Sequence, residues 1–435
     1  MIQSLKYIAV EGCGGLKHLL PATVAKQLRK LERLTIARCS MVEVLITDDN
    51  TNQSSIDEIL FPNLEEFIII DMDKLNTICD WLHVLPPTSF GKLRTFETSN
   101  CPEFIFPSDI KIQSLEELRI TSCKYLEQIS GDTLVATSIL LSNPKLMELS
   151  VARCHGLPFL FSSSSAKSLE NLRLLIIEEC SMMEEIIRFE DDIDPPFGKT
   201  VVFPNLEQMI IADMPKLNTI WGLLQQLPPN SFGKLTEIRI TNCEGFSKGL
   251  PLSLLKSLNK LQVLKLQSCN SLREVFDLEE ETDVHEDQTP RVPKSSLEVL
   301  SLDSLPNLKQ LWNKDPRGIL DFQSLSEIHV MKCESVKYLF SVSVAKSLMQ
   351  LEVLSIKCCA RLEHTVAGEE GTDTSISFVF PEVTSLKLWD LPKLKGFYPG
   401  RFTTEWPSLQ NEGLRTNVEG GPSFLEFENC IVWSG

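Results

Sequence analysis

The 435-residue sequence predicts an α/β solenoid, a horseshoe of about fourteen repeats with a parallel concave sheet and a convex side of short helices and loops. Three observations predict it. The first is a nine-residue frame, apolar at positions 1, 4 and 6 and often cysteine at position 9, as in LRLLIIEEC (172–180), LERLTIARC (31–39) and LQVLKLQSC (261–269). The second is its recurrence: fourteen frames open at residues 5, 31, 64, 93, 115, 146, 172, 206, 235, 261, 297, 325, 351 and 383. Repeats of this period cannot each bury their own apolar face, so neighbours must stack. The third is the alternation inside the frame. Positions 4 and 6 of a strand point inward while 3, 5 and 7 point outward.

The frame fits the leucine-rich-repeat signature LxxLxLxx(N/C), and the repeats come in threes. Frames at 5, 146, 235 and 325 are each followed by another after 26 residues. A third kind, at 64, 206, 297 and 383, carries Met72, Met214, Leu305 or Leu391 where cysteine would stand. Connectors differ by kind. After the first come VAKQL, SAKSL, LLKSL or VAKSL (24–28, 165–169, 254–258, 344–348), which read as a helical turn or short helix on the convex side. After the second come MVEVLI, MMEEII or LREVF, then acidic loops, then mostly Phe-Pro ahead of the next strand, where a missing N–H is tolerated. After the third, tandem prolines and FGKL mark loops. Frames 93 and 115 read as a pair without its third member. The predicted organisation is one array over 1–400 without an N-terminal cap, then a degenerate repeat and irregular tail over 401–435. Both ends are abrupt, and the expectation is a piece of a longer chain.

The formal net charge is −17. Segments 48–58, 188–200, 277–294 and 368–378 hold 4, 4, 7 and 3 acids against four bases, so 18 − 4 = 14 of those charges sit in four loops. That balance argues against nucleic acid, which needs a basic footprint. No run of eighteen apolar residues offers a membrane span, and residues 1–10 lack the features of a signal peptide. Of thirteen cysteines, ten (13, 39, 101, 123, 154, 180, 243, 269, 333, 359) occupy position 9. This points to a packing role, with reduced thiols and a cytoplasmic location.

Chemistry-bearing motifs are sparse. Residues 197–200, FGKT, end like a phosphate-binding loop, but Ile193 stands where the motif needs glycine. The acidic loop 277–287 includes His285 but lacks calcium-loop spacing. Cys358 and Cys359 are not spaced as zinc ligands, and His285-Glu286 has no second histidine. The chain reads as a non-enzyme with no metal site and no cofactor. What remains is the outward face, with two zones. One is apolar and acidic: Leu174, Ile176, Glu178, Glu179, Ile210 and Asp213. The other is basic: Arg239, Lys265, His329, Lys332, Lys357 and Lys387, with Trp389 close by. Outward isoleucines and this charge asymmetry suggest a protein partner with an acidic face.

The stretches LENLRLLIIEECSMMEEII (169–187), KSLMQLEVLSIKCCARLE (346–363), VVFPNLEQMIIADMPKL (201–217) and FVFPEVTSLKLWDLPKLKGFYPG (378–400) carry a family resemblance. Together they resemble the leucine-rich region of plant intracellular coiled-coil nucleotide-binding leucine-rich-repeat disease-resistance proteins. That resemblance implies a protein-recognition domain of an innate immune receptor, sensing a pathogen effector or a guarded host protein. A further partner it implies is the nucleotide-binding domain of the same receptor. ATP or ADP is expected only on that domain, which this sequence does not contain, so a fragment lacking the switch is expected. No contact residue transfers position by position. The alternative is the substrate-recognition array of an F-box-type ubiquitin-ligase adaptor, whose repeats are shorter and more even.

Overall fold

A computed structural model describes residues 2–47, 59–79, 89–104, 112–122, 143–188, 201–218, 231–278, 294–368 and 375–409. The chain forms two compact units, residues 1–206 and 207–435. The four acidic loops lie almost wholly outside the described residues, as do the FGKT segment, His285, Cys123 and the tail beyond Leu409.

Each frame folds alike. Positions 3 to 7 form a five-residue strand, and in the first unit these are Tyr7–Glu11, Arg33–Ala37, Glu66–Ile70, Thr95–Ser99, Glu117–Thr121, Glu148–Ala152 and Leu174–Glu178. They pair in sequence order, parallel and without stagger, so that like positions face each other. The second unit repeats the plan with Gln208–Ala212, Glu237–Thr241, Val263–Gln267, Val299–Asp303, Glu327–Met331, Val353–Lys357 and Ser385–Trp389. The parallel-strand leucine-rich-repeat solenoid is therefore the fold.

The core consists of positions 1, 4, 6 and 9. In the frame at 172, Leu172, Leu175, Ile177 and Cys180 are all fully buried, and each such aliphatic side chain contributes about 1.5–3 kcal/mol. Met72, Met214 and Leu305 fill position 9 equally well. The frame at 5 differs: Leu5 and Tyr7 are exposed, and Ile8 and Val10 only half-buried.

Position 8 has a role that its sequence did not announce. In all fourteen frames it adopts a left-handed conformation, from Arg38 at φ 55° to Asp390 at φ 53°, with Gly12 at φ 68°. The turn lets its N–H reach the position-7 carbonyl of the next strand: Arg38 N to Ile70 O at 2.9 Å, Asn242 N to Gln267 O at 2.8 Å, Lys332 N to Lys357 O at 3.0 Å. The position-9 thiol then folds back and donates to the position-7 carbonyl of its own frame, 3.4 Å in Cys154, Cys180, Cys243, Cys269, Cys333 and Cys359.

The expected burial of the ladder thiols needs one correction. Eight are buried, but Cys13 is exposed, because its frame is the poorly covered one. Alkylation of native protein should therefore modify Cys13 rapidly and those eight slowly, and equal rates by mass spectrometry would refute the packing. Burial also pushes the Cys243 thiol up to about 12 and Cys269 to about 11. A thiol whose folded pKa lies above its unfolded value stabilises fully below the unfolded value. That stability is lost as pH rises from about 9 toward 12, at up to about 1.4 kcal/mol per pH unit per thiol. Alkaline urea titrations should show this slope, and C243A/C269A should flatten it.

The opposite side is more regular than the expected mixture of helices and loops. The helices are present at Ala22–Ala25, Ser163–Ser168, Leu252–Ser257 and Val342–Ser347. Several connectors, however, form further parallel strands: His18–Pro21, Val44–Thr47 and Thr77–Cys79, and again Leu250–Pro251, Glu274–Asp277 and Gln310–Trp312. Connectors carried alongside one another by the stacked frames pair in this way because buried backbone polar groups need partners. Phe402–Glu405, in the degenerate repeat expected after residue 400, pairs with Ile376–Val379.

Candidate recognition surface

Positions 3, 5 and 7 of every strand, with the position-8 turn, make the solvent face of the sheet. In the first unit, position 3 places Arg33 beside Glu66, with Nε to Oε2 at 3.2 Å, and position 5 places Arg119 beside Glu97 at 3.9 Å. Arg153 and Glu179, on two position-8 turns, pair at 3.1 Å. The Arg153 hydrogen bond holds the Glu179 carboxyl below the usual range. Ile176 is half-buried and in register with Ser150. Leu174 and Glu178 flank it on the same strand, also half-buried.

The second unit carries the remaining positions singled out in the sequence. Position 5 runs Ile210, Arg239, Lys265, Ser301, His329, Ser355, Lys387 through consecutive registers. The basic row is less bare than its sequence suggests. Glu237, at position 3, meets Arg239 Nε at 2.5 Å and Lys265 Nζ at 3.9 Å. His329 Nε2 lies 3.1 Å from Glu327 Oε2. Those two glutamates were overlooked in the sequence, although the period-2 alternation that placed the bases outward places them outward as well.

Three lysines escape this neutralisation. Lys357 is in register with Trp389, and Lys387 lies two residues before Trp389 on the same strand. Lys332 follows Met331, the register partner of Lys357. None of the three has an ion-pair partner among the described residues. Trp389, at position 7, is 44% exposed, and Ser355, the register partner of Lys387 in the position-5 row, is 94% buried. Partial burial and the Asp390 carboxylate push the Cys358 thiol upward. Among the described residues no three His, Cys, Asp or Glu side chains cluster as metal ligands, and no helix is long and apolar enough to cross a membrane.

A family model described as "Plant disease resistance protein RPS2-like, leucine-rich repeats" matches residues 1–124, 125–226 and 223–360. The chain belongs to this family. A curated relative, the probable disease resistance protein At4g14610 of Arabidopsis thaliana, is 25% identical over 219 residues, covering 45% of this chain and 29% of its own length. The chain thus spans less than a third of that disease-resistance relative. Among solved structures, the leucine-rich-repeat domain of the type III effector XopL is 18% identical, covering 61% of this chain and 68% of its own, with a TM-score of 0.36. An internalin, InlF, of Listeria monocytogenes is 13% identical, covering 84% and 83%, with a TM-score of 0.37. Leucine-rich-repeat regions of the disease-resistance family are generally protein-interaction modules rather than enzymes.

Proposed function

We infer that this region recognises protein for a plant innate immune receptor, sensing a pathogen effector or a host protein that an effector alters. The observation that supports this most is the cluster of Lys332, Lys357 and Lys387 around exposed Trp389. A tryptophan among cations of one sign suits a partner with an acidic, apolar-centred face, and indoles of this kind dominate interface energies. A second expected contact is the nucleotide-binding domain of the receptor. In this reading ATP or ADP binds there, the repeats hold no cofactor and catalyse nothing, and the protein acts in the cytoplasm.

The test uses the full receptor expressed in leaves challenged with the pathogen. W389A combined with K357E should abolish the defence response while the protein accumulates to its usual level. With a purified partner, W389A alone should weaken binding roughly thirty- to several-hundred-fold, the equivalent of about 2–4 kcal/mol. An unchanged response would place recognition elsewhere on the chain.

A further inference from the structure

In the second unit, away from the recognition face, the connector strands Glu274–Asp277 and Gln310–Trp312 pair in parallel, Phe276 opposite Trp312. The following coil does not continue this ladder. Leu339 N and Phe340 N donate forward instead, to Thr365 O at 3.0 and 3.1 Å. Among the described residues no backbone hydrogen bond joins Gln310–Trp312 to residues 337–340. The sequence accounts for the break. Past Trp312 runs NKDPRGIL (313–320), a turn in which Ile319 N and Leu320 N close on Pro316 O at 2.8 and 3.0 Å and Gly318 takes φ 76°. A cavity of about 510 Å³ opens where the ladder stops.

Its chemistry is one-sided. Trp312 and Tyr338 contribute aromatic wall, while Lys309, Lys314, Lys337 and Arg361 also line it. Against four cations stands one lining carboxylate, Asp315, which gives 4 − 1 = +3 in a chain of net charge −17. Asp315 is already engaged, accepting from Arg317 N at 3.0 Å and from the Ser343 hydroxyl. None of the four cations has an ion-pair partner among the described residues. Among the described residues the indole N–H of Trp312, a residue 93% buried, likewise has no acceptor. Like charges gathered at one opening repel each other unless an anion sits between them.

We propose that this cavity binds a small polyanion carrying clustered phosphate groups. Lysines serve phosphate as point charges, and an arginine adds a two-pronged contact. The volume falls in the range of small-molecule sites, about 300–1,000 Å³, and is too small for a folded partner. The site is independent of the Lys332–Lys357–Lys387 cluster, so either stands if the other fails.

Titration calorimetry with inorganic tripolyphosphate tests it. One-to-one binding is expected, weakened at least tenfold by K337Q/R361Q, whose side chains are exposed and outside the core. R29Q/K30Q, an equal charge loss in the first unit, should leave affinity within twofold, and thermal melts confirm that both variants fold. Absent saturable binding, or equal losses in both variants, would overturn the proposal. Competition by decaglutamate as strong as by tripolyphosphate would also overturn it, in favour of an acidic peptide. Co-sedimentation with phosphatidylcholine vesicles, with and without phosphatidylinositol bisphosphate, identifies the source. Vesicle binding that requires Lys337 and Arg361 assigns a lipid headgroup, and tripolyphosphate binding without vesicle binding assigns a free ligand.

Discussion

Phe276→Ala is expected to remove about 3–5 kcal/mol of stability, the usual cost of deleting a fully buried phenylalanine ring. The ring is fully buried, 5.8 Å from the Trp312 centroid and stacked at 20°, and 5.3 Å from Phe322. Trp312 in turn lies 5.3 Å from Phe322 edge-on and 6.4 Å from Phe340. Phe276 therefore anchors an aromatic column that ties successive coils together, and no neighbour can move in to fill its place without breaking that column. Because a solenoid's stability is nearly a sum of coil and nearest-neighbour contributions, the loss should be local. Urea unfolding followed by tryptophan fluorescence should show an early transition reported by Trp312. A single transition at the wild-type midpoint would show that the column contributes nothing.

Gly249→Ala comes next in size. A Cβ at this position would meet the Val275 carbonyl and the Glu274 oxygen, both backbone atoms of the adjacent coil. Neither can rotate aside, because Leu250 is registered against Phe276 and Pro251 against Asp277. Forcing a methyl group into a close-packed contact typically costs about 1–3 kcal/mol, so the melting temperature should fall by several degrees. Gly14→Ala is the control, since nothing lies within 4 Å of its Cβ. If the two variants melt together, the approach of the two coils is looser than these distances describe.

How much of this was legible in the sequence depends on which physical rule wrote it. The fourteen strands were legible to the residue, because burial of positions 4 and 6 leaves only one register in which Leu175 and Ile177 both reach the core. The left-handed turn was not read from the sequence. Gly12, Asp71, Asn100, Asp213, Asn242 and Asp390 suit that conformation, but Arg38, Arg153 and Lys332 adopt it too, held by a backbone bond that hides behind any side chain. The connector strands were missed because two- to four-residue segments such as Leu250–Pro251 are too short to show a period. The aspects of the surface that were missed are electrostatic. Alternation along one strand already puts Glu237 on the face of Arg239, and only the register between strands brings Lys265 to it as well. Asn63, Asn171 and Asn205 were missed for a similar reason. Each precedes a frame and donates to a carbonyl of the previous coil, at 2.6, 2.6 and 2.7 Å, a contact between repeats that no local pattern reports.

The position-8 turn separates what the chain needs for folding from what it shows to the outside. Its geometry rests on main-chain atoms and on the thiol or apolar residue beneath, while the side chains above pair with one another on the surface, as Arg153 does with Glu179 and Asn100 with Asp71. Glycine, arginine, aspartate, asparagine, serine, glutamate, lysine and cysteine all occupy it within one molecule. A scaffold of this kind can change its outward lettering at fourteen points without rewriting the spine. That latitude makes those points the natural places to install new side chains by design.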